Sequence, residues 1–119
     1  MRMLRLIVVW ILRFLLAALF AIQGIIKLTG SPAWISRFHE WGYPDHFYLV
    51  VGVAELLGAI GLLIPRLANF GVLVLAVVMI GATATHVVHR EPQVITTLVV
   101  LALLVTVRAL HSGAKTFQR

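Results

Sequence analysis

The carboxylate of Glu55 is the group in this sequence whose surroundings most clearly indicate chemistry. It lies in the segment FYLVVGVAELLGAIGLLIP, which starts at Phe47, and no other charged residue occurs between His46 and Arg66. A carboxylate among aliphatic residues must be protonated, be paired with a cation, or accept and release protons. The rest of the chain therefore has to supply its partner.

Side chains that can form such a partner lie in two other apolar segments. Lys27 and Gln23 lie near the end of the first segment, and His86 lies near the end of the third. Arg13 falls on the same helical face as Lys27, because fourteen residues at about 100° each bring the two within about 40°. Together with Glu55, these residues are the candidates for binding a ligand or handling protons.

The elements that must position these residues are membrane-spanning helices. The chain has 119 residues, of which 61% are hydrophobic and 12% charged, and its mean hydropathy of +1.04 is far above that of a soluble domain. The apolar residues form four runs of about the 20 residues that a helix needs to cross a bilayer. These runs cover about 6–28, 46–64, 67–88 and 93–110, with proline-containing breaks between them.

Four such runs predict an all-α membrane protein, a four-transmembrane-helix up-and-down bundle that forms a single domain over residues 1–119. Backbone groups must be satisfied internally in lipid, and the runs are too long for barrel strands. Side chains lean toward the N-terminus of their own helix, so Glu55 and the group of Lys27, Gln23 and His86 lean toward each other. We expect Glu55 to be protonated, or paired with Lys27 directly or through Gln23, His86 or water.

The connection SPAWISRFHEWG between the first two spans predicts a short helix over about 32–41 that lies in the membrane interface. A serine and proline at its start and a glycine at its end are typical of helix boundaries. Trp34, Phe38 and Trp41 lie on one apolar stripe of this helix. The stripe is either a lid over the interior of the bundle or an aromatic anchor that fills a long loop.

The distribution of Lys and Arg predicts the orientation in the membrane. An even number of spans puts both termini on the side of the PRL turn, with seven Lys and Arg residues against three on the other side. This excess places both termini in the cytoplasm. The formal net charge of +6 then reflects mostly this topology, together with contacts between basic residues and anionic lipid headgroups. Nucleic acid is therefore not an expected partner.

An ordered set of motifs runs through three of the predicted spans. The segment LRFLLAALFAIQGIIKLTG is followed by GVAELLGAIGLLIPRLANFGVLVLAVVMIGATATHVVH. In this order and spacing the motifs resemble the DoxX family of small four-helix bacterial membrane proteins, over about residues 4–89. The residues that match the family pattern are Arg13, Gly24, Lys27, Leu28, Glu55, Leu56, Leu57, Gly58, Ala82 and His86.

The resemblance implies a multi-pass protein of the bacterial inner (plasma) membrane with a connection to redox chemistry. Some relatives are associated with thiosulfate:quinone oxidoreductase or with membrane complexes that handle thiol and oxidative stress. This chain has no cysteine, so sulfur redox chemistry requires a partner protein or a bound cofactor. The resemblance therefore favours a membrane subunit of a redox complex, with quinone as the candidate cofactor.

Two other classes of function stay open at this point. The polar residues can form the headgroup site of a binder or carrier of a small amphiphile or lipid. Alternatively, Glu55 and Lys27 can be a structural pair that fixes helix register. None of the three classes requires the chain to be an enzyme by itself.

Two histidines, one helical turn apart, raise the question of metal binding. No metal site is expected, because His86 and His89 form a pair without third and fourth ligands.

Small residues on several helix faces predict a homo-oligomer or a complex with partner membrane or redox proteins, within the lipid bilayer. Crosslinking in native membranes that recovers only monomer would contradict this expectation.

Overall fold

The computed structural model describes residues 2–117, with side chains over residues 2–110, and contains five α-helices and no strand over that part of the chain. The all-α prediction is thereby confirmed for the described residues. The helices are α1 (Arg2–Leu28), α2 (Pro32–Glu40), α3 (Phe47–Leu63), α4 (Ala68–Val88) and α5 (Val94–Phe117), and a 3₁₀ turn at Pro65–Leu67 joins α3 to α4.

Helices and predicted apolar runs differ most at the two ends of the chain. α1 begins at Arg2 rather than at about residue 6, and α5 continues to Phe117 rather than ending at about residue 110. Hydropathy marks only the apolar part of a helix, whereas backbone hydrogen bonds continue through polar residues. The six ends of the long helices at the three inner breaks lie within about one residue of the predicted ones.

Three of the helices end in the same way, with a left-handed residue that turns the chain back. This residue is Gly30 after α1 and Gly42 after α2, with φ of 76° and 83°. After α4 it is Arg90, with a φ of 53°. Backbone N–H groups beyond each helix then donate to carbonyl groups of its last turns. The residue that follows the left-handed one is thus held close to the helix it has just left.

The four long helices form a closed ring in which each packs on the next and α5 packs back on α1. The core of the ring is apolar, and its most deeply buried residues include Phe20, Leu62, Leu75 and Leu104. The short helix α2 lies outside this ring and packs on α3. A ring of this kind can enclose a small interior space, and α2 lies at one end of it.

Glycines allow the closest helix contacts in the ring. At the crossing of α1 and α3, a Cβ added to Gly24 would lie 2.7 Å from the carbonyl oxygen of Gly52. At the crossing of α3 and α4, a Cβ added to Gly71 would lie 2.8 Å from the carbonyl oxygen of Gly58. Such small-residue contacts are typical of helices that pack in membranes.

The outer surface of the ring is also apolar. Exposed large hydrophobic side chains lie on all four long helices. Two helices, Arg2–Leu28 and Pro65–Val88, are long and apolar enough to cross a membrane, whereas Phe47–Leu63 and Val94–Leu110 are apolar but shorter. Helices that are apolar on the outside as well as the inside are typical of proteins that contact lipid.

Candidate functional site

A buried ion pair joins α1 to α3. The Nζ atom of Lys27 lies 2.8 Å from Oε1 of Glu55, and each side chain is only 4% exposed. The close approach of the two helices makes this possible, since a Cβ on Gly52 would lie 3.0 Å from the Cβ of Lys27. Of the arrangements expected from the sequence, the structure contains the direct pair. Pairing offsets the cost of burying each charge, which is about 2.5 to 3.5 kcal/mol at the centre of a membrane helix.

The two members of the pair differ in how fully they are satisfied. The ammonium group of Lys27 also lies 4.0 Å from the ring centroid of Trp34, which is a cation–π contact. The Oε1 atom of Glu55 is buried, and Nζ approaches it at ion-pair distance but outside the angles of a hydrogen bond. Glu55 therefore keeps the capacity to accept a hydrogen bond from another group.

A cavity of about 650 Å³ lies beside the ion pair. This volume is within the range of sites that bind small organic molecules, about 300 to 1,000 Å³. Gln23, Lys27, Glu55 and His86 all line it, so the structure brings four of the candidate residues to one place. Most of the other lining residues are aliphatic or aromatic. A few polar groups thus meet in an otherwise apolar space.

The partner of His86 is Glu91, not Glu55. The Nδ1 atom of His86 lies 2.7 Å from Oε1 of Glu91. The left-handed ending of α4 at Arg90 makes this contact possible, because it returns the Glu91 N–H to the His86 carbonyl, at 2.9 Å. The hydrogen bond from His86 holds the pKa of the Glu91 carboxyl below its usual range. Sequence reasoning missed Glu91 as a site residue because it lies in the break between two spans.

The aromatic residues of α2, and Trp41 directly after its last residue, lie against the polar groups of the cavity. Trp34, Phe38 and Trp41 all line it. Phe38 is buried and packs against both tryptophans. The ring of Trp41 lies perpendicular to the ring of His86, with 5.5 Å between their centroids. These are the three residues that the sequence identified as lid candidates.

Tyr43 is a lining residue that the sequence analysis did not single out. Its hydroxyl group forms a hydrogen bond with the hydroxyl of Thr85 on α4. Its ring also packs on Phe38, with 5.5 Å between centroids, which is the hydrophobic contact expected at a left-handed helix ending. The segment after α2 is therefore attached to α4 as well as to α2, and Gly42 before it was the available sequence signal.

Comparison with known protein families matches residues 11–107 of this chain to the DoxX-like family. The chain belongs to that family. The predicted resemblance is confirmed, although the match begins later than residue 4 and continues past residue 89 into α5. Membership of the DoxX-like family identifies the chain as a membrane protein. Among curated proteins and solved structures, no match to the chain was found.

In this DoxX-like protein, Arg13 lies apart from the cavity, although it shares the inward face of α1 with Lys27. Its Nε donates a hydrogen bond of 2.5 Å to the carbonyl oxygen of Leu62, and its guanidinium lies 4.0 Å from the ring centroid of Trp10. Leu62 is in the last turn of α3, where carbonyl groups lack helical partners and the helix dipole is negative. The structure thus places Arg13 at a helix C-terminus and not beside Glu55.

The other histidine of the predicted pair, His89, does not line the cavity. His89 donates from Nδ1 to the carbonyl oxygen of Thr85, at 2.8 Å. Over the part of the chain that the structure describes, no three His, Cys, Asp or Glu residues are grouped to hold a metal ion. The DoxX-like site instead combines an ammonium, a carboxylate, an amide and an imidazole with aromatic walls. Such a set can bind the polar head of an organic molecule by hydrogen bonds and ring contacts.

Proposed function

We propose that this DoxX-like protein is a membrane subunit of a quinone-linked redox complex and binds a quinone headgroup beside Lys27 and Glu55. The observation that carries the proposal is the meeting of a buried ion pair with aromatic walls in one cavity of about 650 Å³. A quinone headgroup needs hydrogen-bond donors for its carbonyl oxygens and flat apolar surfaces for its ring. The cavity supplies both.

Each polar residue has a distinct part in this proposal. Lys27 and Gln23 donate hydrogen bonds to the quinone carbonyl oxygens. Glu55 accepts a hydrogen bond from a quinol hydroxyl and exchanges its proton. The rings of Trp34 and Trp41 pack against the headgroup. Electrons come from a partner redox protein, because a chain without cysteine carries no sulfur redox chemistry of its own.

A second candidate function is the binding or carriage of another small amphiphile or lipid. The observation that favours it is the position of α2 and of Trp41 directly after it, because Trp34 lies against Lys27 and Trp41 against His86 at the wall of the cavity. In this function α2 is a lid, and the ion pair binds a headgroup that undergoes no redox change. A purely structural module is the remaining alternative, and it predicts no ligand in the cavity.

The proposal includes four membrane spans in the bacterial inner membrane, with both termini in the cytoplasm. The shortest span, α3, has 17 residues, which is about the minimum for a membrane-crossing helix. The seven-to-three distribution of Lys and Arg supports the orientation. Reporter tags fused to the two termini are expected to give cytoplasmic signals. A signal from outside the membrane at either terminus would contradict this topology.

Tryptophan fluorescence of the protein in lipid nanodiscs tests the proposed function. The chain has three tryptophans, of which Trp34 and Trp41 line the cavity and Trp10 packs against Arg13 outside it. A Trp10→Phe background therefore reports only on the cavity. Titration with a dimethoxybenzoquinone is expected to quench this fluorescence saturably, because the bound ring contacts both indoles.

Two matched variants decide how the quenching is interpreted. Glu55→Gln is expected to weaken quinone binding about tenfold, because it removes the carboxylate that holds the Lys27 ammonium group, the donor to a quinone carbonyl oxygen, in position. Glu40→Gln makes the same change on the exposed side of α2, outside the cavity, and is expected to leave binding unchanged. Quenching that never saturates, or that is the same in all variants, contradicts the proposal. A spectral shift on adding a lysophospholipid, without quenching by quinone, favours the amphiphile binder.

A further inference from the structure

Gly81 is a helical glycine that helix packing does not explain. A Cβ added at Gly81 would meet nothing within 4 Å. The other helical glycines with described surroundings are in tight contacts, where an added Cβ would lie within 3.1 Å of a neighbouring atom; they are Gly24, Gly52, Gly58, Gly61 and Gly71. A glycine in a helix interior is unfavourable relative to alanine, so the space beside Gly81 needs another explanation.

The space beside Gly81 belongs to the cavity that contains the ion pair. Gly81 and Val77 line this cavity from α4, one helical turn apart, and Val50 and Ala54 line it from α3 with the same spacing. We call these four residues the α3–α4 opening. Val50 is 61% exposed and Val77 is 60% exposed, so here the cavity reaches the outer surface of the bundle.

The α3–α4 opening is apolar, whereas the part of the cavity beside the ion pair, which we call the floor, is charged. It is lined by two valines, an alanine and a glycine, whereas the floor holds Lys27 and Glu55. In a protein whose outer surface contacts lipid, such an opening leads from a polar site into hydrocarbon. A molecule that fits both parts at once has a polar head and an apolar chain.

We infer that the ligand of this cavity is an amphiphile with a single apolar chain, which leaves the bundle sideways through the α3–α4 opening, past Gly81. The inference rests on the proposed function and specifies its substrate class: a quinone with an alkyl or isoprenoid tail rather than a tail-less, water-soluble one. The absence of a side chain at Gly81 provides the room that the tail occupies. The tail contributes affinity by burying methylene groups, while the headgroup contacts remain those of the ion pair.

The test compares two probes in the Trp10→Phe background: a dimethoxybenzoquinone without a tail, and the same headgroup with a decyl tail. Gly81→Leu is expected to weaken binding of the decyl compound about tenfold, the loss for roughly two methylene groups that no longer bury. Binding of the tail-less compound is expected to change less than about twofold, because the headgroup contacts are intact. Ala84→Leu adds a similar side chain to an exposed position of α4 outside the cavity and is expected to affect neither probe.

The remaining outcomes separate this inference from the proposed function. If both probes bind and Gly81→Leu weakens the binding of both equally or of neither, the tail does not leave through the α3–α4 opening. The proposed headgroup site is then unaffected. If Gly81→Leu leaves binding unchanged but converts a crosslinked oligomer to monomer, Gly81 contacts a second copy of the chain and the tail path is again wrong. If neither probe binds the unmodified cavity, the proposed function fails and the inference with it. Gly81→Ala, which fills less of the opening, is expected to give a smaller loss for the decyl compound and serves if Gly81→Leu does not fold.

Discussion

Replacing Lys27 by Met is expected to lower the free energy of unfolding by about 3 kcal/mol, because it leaves the Glu55 carboxylate buried without its partner. Each side chain is only 4% exposed, so water cannot take the place of the ammonium group. In a Glu55→Gln background the same substitution is expected to cost about 1 kcal/mol, since only the contact of the ammonium group with a neutral amide is lost. The measurement is a double-mutant cycle by reversible unfolding in bicelles or mixed micelles.

A matched control for this cycle is available at Arg66. Arg66→Met also replaces a cation by an uncharged chain, but at an exposed position in the turn between α3 and α4. Its expected effect is within about 0.5 kcal/mol. If the costs of Lys27→Met and Glu55→Gln simply add, the two groups are not energetically coupled. The ion pair would then have no part in holding α1 against α3.

Replacing Gly71 by Ala is expected to lower the free energy of unfolding by about 2 kcal/mol, in spite of the better helix propensity of alanine. The added Cβ would lie 2.8 Å from the Gly58 carbonyl oxygen and 2.8 Å from the Leu62 nitrogen. Both are backbone atoms, so the contact can be relieved only by moving α3 away from α4. Unfolding in the same bicelle system measures the change.

The same substitution elsewhere on α4 is the control for Gly71. Gly81→Ala meets no atom within 4 Å, so only the propensity gain remains, and it is expected to raise the free energy of unfolding by up to about 1 kcal/mol. The two substitutions should therefore have opposite signs. Destabilisation of similar size at Gly71 and Gly81 would show that the close α3–α4 crossing is not what Gly71 provides.

The pairing of Lys27 with Glu55 could be predicted from the sequence because two simple physical rules apply to it. A lone carboxylate in an apolar helix needs a cation, and side chains lean toward the N-terminus of their helix. Antiparallel packing of the first two long helices then brings the two groups together. The same rules placed Gln23 and His86 nearby, and both line the cavity with the ion pair.

Arg13 shows where helical periodicity alone is insufficient. Its face on α1 was predicted correctly, since both Arg13 and Lys27 are buried. However, fourteen residues at about 1.5 Å each separate them by about 21 Å along the helix axis. At that distance the neighbour of Arg13 on antiparallel α3 is the helix end at Leu62, not Glu55. Axial distance as well as angle was needed to place it.

The pairing of His86 with Glu91 depends on the backbone beyond the helix. A hydropathy pattern treats Glu91 as part of a break between spans. The left-handed conformation of Arg90, a residue type that rarely adopts it, is what turns Glu91 back toward the helix. Neither helical periodicity nor charge predicts that conformation. The contact between His86 and Glu91 could therefore be identified only from the structure.

The quinone content of the purified protein tests the central claim, that the cavity beside Lys27 and Glu55 holds a quinone. The protein is purified from its native membrane into nanodiscs, and the organic extract is analysed for quinone relative to phospholipid and to protein. The Glu55→Gln protein is prepared in parallel. We predict quinone in stoichiometric proportion to the unmodified chain, falling toward the ratio of the bulk membrane in the Glu55→Gln protein. A quinone-to-phospholipid ratio equal to that of the bulk membrane in both proteins would contradict the account.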